Sequence, residues 1–358
     1  MRFLSVLILL LVVSLELAAQ VSKPKYANEF LSIGVGARSF AMGGATVASV
    51  NDASAGYWNP AKLMNVKNDY SLNIMHAEYF AGIAAYDYAG FATPIDEQSS
   101  MAITFLRFGV DDIPDTRFLY DANGALNYDN IRFFSAADYA FQFSYARNLK
   151  MLEGLSFGAN AKIIHRTVGE FAKAWGFGFD LGLAYQYKNF DFGLMARDVT
   201  GTFTTWYHNI TLIEDIYTQT DNVIPENTTE LAVPRVILGA AYTQKLPYKF
   251  SILGEVNFDA TFDGPRNTYI SEEAFSIDPR AGIEIAFDQM AFLRFGANNL
   301  QQIKNFDGSE RWNGQANMGV GFKYKILQVD YAFTDLGNSS ESLYSHIFSL
   351  ILNWDAKE

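Results

Sequence analysis

The chain has 358 residues, no cysteine and a formal net charge of −12. The lack of Cys excludes disulfides and thiolate chemistry, and the acidic balance argues against a nucleic-acid partner, which would need a basic surface. Mean hydropathy is +0.00, a value that a transmembrane barrel shares with soluble domains because its two strand faces cancel; the 30 Phe and 20 Tyr favour the barrel, whose rims carry aromatic girdles.

Met1-Arg2 is a small basic start, followed by an apolar run from Phe3 to Leu15 and by Leu17-Ala18-Ala19 before Gln20. The run is too short to cross a bilayer as a helix and predicts a cleaved signal peptide over 1–19, hence export. Residues 24–66, the main part of a segment 20–66, do not alternate. They are rich in Gly and Ala, from Gly34-Val35-Gly36-Ala37-Arg38 through Met42-Gly43-Gly44-Ala45 to Trp58-Asn59-Pro60-Ala61. A compact segment before the first strand predicts a plug for a lumen that must be filled or left open. Gly34-x-Gly36 lacks the third glycine and the strand–helix setting of a nucleotide loop.

From residue 70 onward the period is two, the mark of strands with two unlike faces. From Trp175 to Tyr187 one face reads Trp, Phe, Phe, Leu, Leu, Tyr, Tyr and the other Gly, Gly, Asp, Gly, Ala, Gln. A soluble sandwich would pack one face and charge the other. Here the second face is small or polar with few charges, which predicts lipid outside and a polar lumen inside. Phe177, Phe179 and Leu183 are expected to face lipid, and Asp180 the lumen.

About fourteen strands are expected, over 70–78, 81–93, 98–109, 131–147, 154–168, 174–187, 189–199, 232–245, 248–260, 276–288, 290–300, 313–324, 326–335 and 343–354. The fold class is therefore all-β, an antiparallel transmembrane barrel over 67–354 with a short periplasmic tail at 355–358. The long connections 110–130, 200–231, 261–275, 301–312 and 336–342 are all odd-numbered, with the first hairpin as the only short odd loop. This alternation predicts long loops outside the cell and tight turns in the periplasm. Loops 110–130, 200–231 and 261–275 carry net charges of −4, −5 and −2. They read as hydrated surface loops, or as a cation or basic-partner site on Asp111, Asp112 and Asp115, whose spacing matches no calcium loop. Phe118 and Tyr120 in one loop, and Trp206, Tyr207 and Tyr217 in another, are candidate partner-binding aromatics. The last strand ends on Phe348, Leu350, Leu352 and Trp354, an insertion signal for the barrel-assembly machinery.

No catalytic residue, cofactor or metal ligand is assigned. His76, His165, His208 and His346 lack ligand spacing, no serine elbow occurs, and Asp180 and Glu284 are expected to pair with Lys162, Arg280 or Lys323.

The segments Phe30-Leu31-x-Ile33-Gly34-x-Gly36-Ala37-Arg38, Met42-Gly43-Gly44-Ala45, Asp52-Ala53-Ser54 and Trp58-Asn59-Pro60-Ala61 resemble the PorV/PorQ family of FadL-like outer-membrane barrels. So do Asp330-Tyr331-Ala332-Phe333-x-Asp335-Leu336-Gly337 and His346-x-Phe348-Ser349-Leu350. The resemblance implies fourteen strands and an accessory role in type IX secretion, with translocon components or cargo C-terminal domains as partners. Val35-Gly36, Met42 and Gly44 depart from the PorV and PorQ patterns, so no cargo-binding residue is carried over. The alternative is a FadL-like conduit for hydrophobic small molecules across the outer membrane.

Overall fold

A computed structural model describes residues 27–80, 82–121, 123–304, 308–335 and 345–356. The expected signal peptide, the motif residues Leu336 and Gly337, and the end of the tail lie outside these. The strands are β1 (Tyr70–Tyr79), β2 (Ala84–Asp96), β3 (Ser99–Asp115), β4 (Arg132–Asn148), β5 (Leu155–Val168), β6 (Ala172–Tyr187), β7 (Phe190–Arg197), β8 (Thr202–His208), β9 (Thr229–Ala232), β10 (Arg235–Lys245), β11 (Phe250–Thr261), β12 (Ile270–Ser271), β13 (Ser276–Phe287), β14 (Ala291–Lys304), β15 (Glu310–Tyr324), β16 (Leu327–Phe333) and β17 (His346–Trp354).

All pairings are antiparallel. The sheet closes where β17 meets β1, with Tyr70 opposite Trp354 and Ala77 opposite Ile347. The wall has fourteen strands. β8 and β9 prolong β7 and β10 beyond a gap in their pairing, and β12 is a short addition to β13. The even count places both ends of the wall at one rim, the turn end; the long connections gather at the other, the loop end.

The alternation decides which face is which. Phe177 and Leu183 are 47% and 39% exposed while Asp180 between them is 1% exposed. The same outward apolar row continues through Phe141, Phe143, Phe192, Leu238, Val256, Phe258, Ile283, Phe295 and Val320. Soluble monomers rarely expose a contiguous apolar patch of more than a few hundred Å², so this face belongs against lipid. Two aromatic rims bound it. At the turn end Trp354 stacks on Tyr70 at 5.3 Å and Phe190 packs on Tyr242 at 4.7 Å; at the loop end His165 stacks on Trp175 at 4.1 Å.

Among the boundaries that differ from the sequence reading, three shorten the expected long loops. β3 runs to Asp115, β14 to Lys304, and β15 starts at Glu310, so loops 110–130 and 301–312 are shorter than expected. Above the membrane both strand faces meet water, so the periodicity fades before the pairing does. The expected loop 200–231 contains β8, β9 and a helix, Ile210–Gln219. A second odd connection, 169–171, is also tight, so the first hairpin is not alone in this.

Residues 27–66 lie inside the wall. They include the short helices α1 (Ala37–Ala41) and α2 (Ala55–Trp58) and a 3-10 turn, Pro60–Asn65. Their backbone passes so close to the barrel that inward wall positions must be glycine. A Cβ on Gly158 would fall on the backbone of Pro60 and Ala61, one on Gly296 on Met42 and Gly43, and one on Gly282 within 2.6 Å of the Met42 carbonyl. Gly193 faces Val47 in the same way.

Two substitutions separate wall from interior. Leu181→Arg should cost about 2–4 kcal/mol of folding free energy in vesicles, measured by denaturant titration. Gly158→Val should retain the heat-modifiable gel band of a folded barrel yet open residues 27–66 to protease; an unchanged cleavage pattern would contradict the close approach.

Candidate functional site

The geometry of the inner segment follows from its glycines. Gly34, Gly36, Gly43 and Gly44 have φ of 105°, 85°, 65° and 76°, a region that side-chain-bearing residues avoid. The turns at Gly34 and Gly36 bring residues 30–35 back over α2. There the Tyr57 hydroxyl accepts from the Gly34 N–H at 3.1 Å and donates to the Leu31 carbonyl at 2.7 Å, and Trp58 Nε1 donates to the Val35 carbonyl at 2.9 Å. The Asn-Pro-Ala motif fastens the end of the segment. Asn59 Oδ1 accepts from the Ala61 N–H at 3.1 Å, its Nδ2 donates to the Leu183 carbonyl at 3.0 Å, and Pro60 sits in the first turn, where no N–H is missed.

These anchors leave a cavity of about 190 Å³ between the segment and the loop half of the wall. Ile33, Phe40, Trp58 and Tyr79 form its apolar side; Asn298, Gln315, Asn317 and Arg280 form its polar edge; Gly43 and Gly44 border it. Across Arg280 lies a second cavity of about 290 Å³ with an almost wholly polar lining. A third, of about 300 Å³, opens at the turn end and is lined by Arg38, Glu284, Arg294 and Lys323. Residues 38–44 stand between the first and the third. A larger apolar groove of about 480 Å³, lined by Leu183, Tyr185, Phe192 and Leu238, lies on the outer face of the wall, where lipid covers it.

Several of the charges inside the barrel are paired, while Glu255 and Arg197 are buried and bind the inner segment by hydrogen bonds instead. Arg38 Nε meets Glu284 at 2.9 Å, Arg294 meets the same carboxylate at 2.6 Å, and Arg294 also meets Asp330 at 2.7 Å. Lys162 sits between Asp180 at 2.7 Å and Asp198 at 2.6 Å. The expected Asp180–Lys162 pair is present. Glu284, by contrast, pairs with neither Arg280 nor Lys323: Arg280 turns to Asp259 and Asp278, at 3.1 and 3.3 Å. The true partners were partly legible, since the tight turn at 288–290 sets Glu284 opposite Arg294. Arg38 arrives from the inner segment, whose path no periodicity reveals. For the same reason Ile33, Phe40, Trp58 and Tyr79 were not singled out as a group.

The other expected sites are dispersed. Phe348, Leu350, Leu352 and Trp354 share the outer face of β17, and Phe348 packs on Tyr331 at 5.0 Å. Trp206 and Tyr207 are not loop residues: they lie in β8, because this stretch pairs with β6 opposite Ala174 and Lys173. Trp206 packs beneath Arg166 at 4.9 Å, and Phe118 lies under Arg132 at 4.3 Å. Tyr217 is half-buried on the helix Ile210–Gln219, while Tyr120, 65% exposed, stands free at the loop end. Asp111 pairs with Arg107 at 3.3 Å and Asp115 with Arg117 at 2.7 Å. Among the described residues no group of three His, Cys, Asp or Glu is placed to hold a metal.

No family model matches the chain and no curated protein matches its sequence. Solved structures do match. The monoaromatic hydrocarbon channel CymD is similar over 91% of this chain and 99% of its own, with 14% identity and a TM-score of 0.56. The Pseudomonas putida toluene transporter TodX is similar over 90% and 99%, with 13% identity and a TM-score of 0.52. A Pseudomonas aeruginosa FadL homologue is similar over 90% and 98%, with 10% identity and a TM-score of 0.50. At these identities the likeness is one of fold. The finer resemblance to PorV and PorQ rests on the sequence motifs.

Arg294, 1% exposed, is the hinge of its charge chain. Arg294→Met would leave Asp330 without its cation, and removing one partner of a buried pair costs about 3–5 kcal/mol. Arg38→Met leaves Glu284 with Arg294 and should cost less. Denaturant unfolding in vesicles ranks the two, and the reverse order would refute this apportioning.

Proposed function

We propose that this protein is an outer-membrane barrel that conducts small, largely apolar molecules through its lumen. The observation that carries this reading is the internal cavity with Ile33, Phe40, Trp58 and Tyr79 on one side and Arg280, Asn298, Gln315 and Asn317 on the other. Small-molecule sites combine an apolar lining with a few placed polar groups, and an apolar cavity on the order of 150 Å³ accommodates a benzene ring. At about 190 Å³ the cavity suits a single substituted ring or a short chain. The named hydrocarbon and toluene carriers of the same fold support that ligand class. A closed barrel meets the demand that every backbone group in lipid be satisfied, and the loop end is its outer end. In this reading the segment 27–66 is a plug, and passage to the turn end requires residues 38–44 to shift, since they separate the two cavities.

Cells that express the protein in their outer membrane should take up toluene several-fold faster than control cells. Phe40→Arg, which places a charge on the apolar side of the cavity, should abolish the gain while the folded band persists. Uptake equal to the control, or uptake insensitive to Phe40→Arg, would remove the conduit reading. A protease site at Asn222 should be cut on intact cells and one at Asp96 should not; the opposite result would invert the barrel.

A second reading, a protein-binding accessory of type IX secretion, is favoured by the sequence motifs and by exposed Tyr120, Tyr128 and Tyr269. Because 202–208 is wall strand, the excision that tests it is 210–222. Co-purification of translocon components or cargo C-terminal domains, lost on that excision, would put this reading in place of the conduit.

A further inference from the structure

The cavity at the turn end differs in kind from the apolar one. It measures about 300 Å³, and its lining carries four cations, Arg38, Lys67, Arg294 and Lys323, against two carboxylates, Asp52 and Glu284. Both carboxylates are committed. Glu284 is held by Arg38 at 2.9 Å and by Arg294 at 2.6 Å. Asp52 Oδ1 accepts from the Ser54 N–H at 2.7 Å and from Asn73 Nδ2 at 3.1 Å. The two arginines are used in the same contacts, and Arg294 reaches Asp330 as well, at 2.7 Å. The two lysines are not used. Among the described residues no carboxylate stands within ion-pair distance of either ammonium group.

The local structure explains how both lysines reach this cavity. Lys323 alternates with Phe322 and Tyr324, each 57% exposed on the outer face, so it turns inward near the end of β15, opposite Gln328. Lys67 follows the 3-10 turn Pro60–Asn65, where the inner segment passes into β1. Lys67 is exposed and Lys323 half-buried, so a solute that enters from the turn end can meet both. Two like charges in one concave site focus a positive potential on it. Asn51, Asn65 and Asn353 add amide N–H donors to the lining, and Phe292 and Ile351 are its only apolar members. A cation finds no free carboxylate here and a hydrocarbon little surface. An anion finds two ammonium groups and neutral donors. The loop end repels the same solute, since loops 110–130 and 200–231 carry net charges of −4 and −5.

We infer that the turn-end cavity is a binding site for a small dianion, held between Lys67 and Lys323 and admitted from the turn side. Nothing in this depends on the lumen conducting.

The test is isothermal titration of the full chain in nanodiscs of zwitterionic lipid, corrected with empty nanodiscs, at neutral pH and low ionic strength. The probes are inorganic phosphate, succinate and acetate. The tighter of the two dianions should bind about tenfold more tightly than acetate, the ratio expected of one further charge-assisted contact. Lys67→Gln and Lys323→Gln should each weaken that binding about tenfold. Lys188→Gln, on an exposed turn that does not line the cavity, should leave it unchanged. Lys67 is exposed, so its replacement serves if Lys323→Gln fails to fold. Dianion binding no tighter than that of acetate, binding that survives Lys67→Gln undiminished, or binding weakened as much by Lys188→Gln overturns the inference. So does the absence of heat above the empty-nanodisc level. Toluene uptake tests the conduit separately, and none of these results bears on it.

Discussion

The constraint on which the structure turns is the hydrogen-bonding need of an irregular backbone held inside a barrel. Residues 27–66 have little regular structure of their own, yet most are cut off from water, and a buried N–H or carbonyl without a partner is costly. The wall supplies many of the partners. Glu255 accepts from the Ala48 N–H at 2.8 Å and Ser349 from the Ala37 N–H at 2.7 Å. Asn160 donates to the Gly56 carbonyl at 2.8 Å, Ser156 to the Ala61 carbonyl at 3.0 Å and Arg197 to the Leu31 carbonyl at 2.9 Å. Each of these side chains sits on the inward face of a strand. The polar lumen is thus less a water channel than a fitted surface for one particular stretch of chain, and the inward glycines mark where that chain touches the wall.

Such a fit leaves space only where the match is incomplete, and the gaps differ in kind. Where the apolar faces of α1 and α2 turn toward the loop half of β14 and β15, the gap is greasy on one side. Where the arginines of β10 and β13 meet the carboxylates of β11 and β13, it is polar and electrically balanced. In the proposed conduit, passage would ask most of the short stretch that separates the loop-end gap from the one at the turn end. It is held by Arg38 to Glu284 and Ser49, contacts that side-chain rotation can break while the ladder of the wall stays intact.

The sequence made the wall legible and left the interior obscure, for one physical reason. Alternation reports two environments, and a strand between lipid and lumen always has two, so the faces of β4, β6, β13 and β15 could be assigned from residues such as Phe143, Asp180, Ile283 and Val320. Register across a tight turn was also within reach, as Glu284 opposite Arg294 shows. The inner segment is enclosed on every side. Its residues therefore carry no period, and contacts such as Arg38 to Glu284 span 246 positions. The glycines of 34–44 signalled tight backbone without saying which strand it would press. Trp206 was misplaced because β8 lies beyond a gap in the ladder, where a run of threonine and aromatic residues after Gly201 resembles loop chemistry.

That gap is itself a made feature. Pairing of β7 with β10 stops at Arg197 opposite Arg235, and resumes between β8 and β9 at Thr202 opposite Ala232. The bypassed residues are Asp198 to Gly201 on one side and Val233-Pro234 on the other. Proline has no N–H to leave unpaired, so it fits an interrupted ladder, and Gly201 takes a φ of 69°. The Asp198 N–H donates to Asp180 Oδ1 at 2.8 Å, and Thr202 Oγ1 donates to the Asp198 carboxylate. Lys162 bridges the two aspartates from β5. A frayed edge would show loose ends here; instead the Asp180 carboxylate takes the Asp198 N–H, and Lys162 holds both carboxylates in place. Arg197 and Arg235, the last paired residues before the gap, face inward by the alternation of their strands and hold the Leu31 carbonyl and the Ser32 hydroxyl. The sheet is interrupted next to the two arginines that bind Leu31 and Ser32 of the inner segment, so the wall and its contents are fitted to each other at this point.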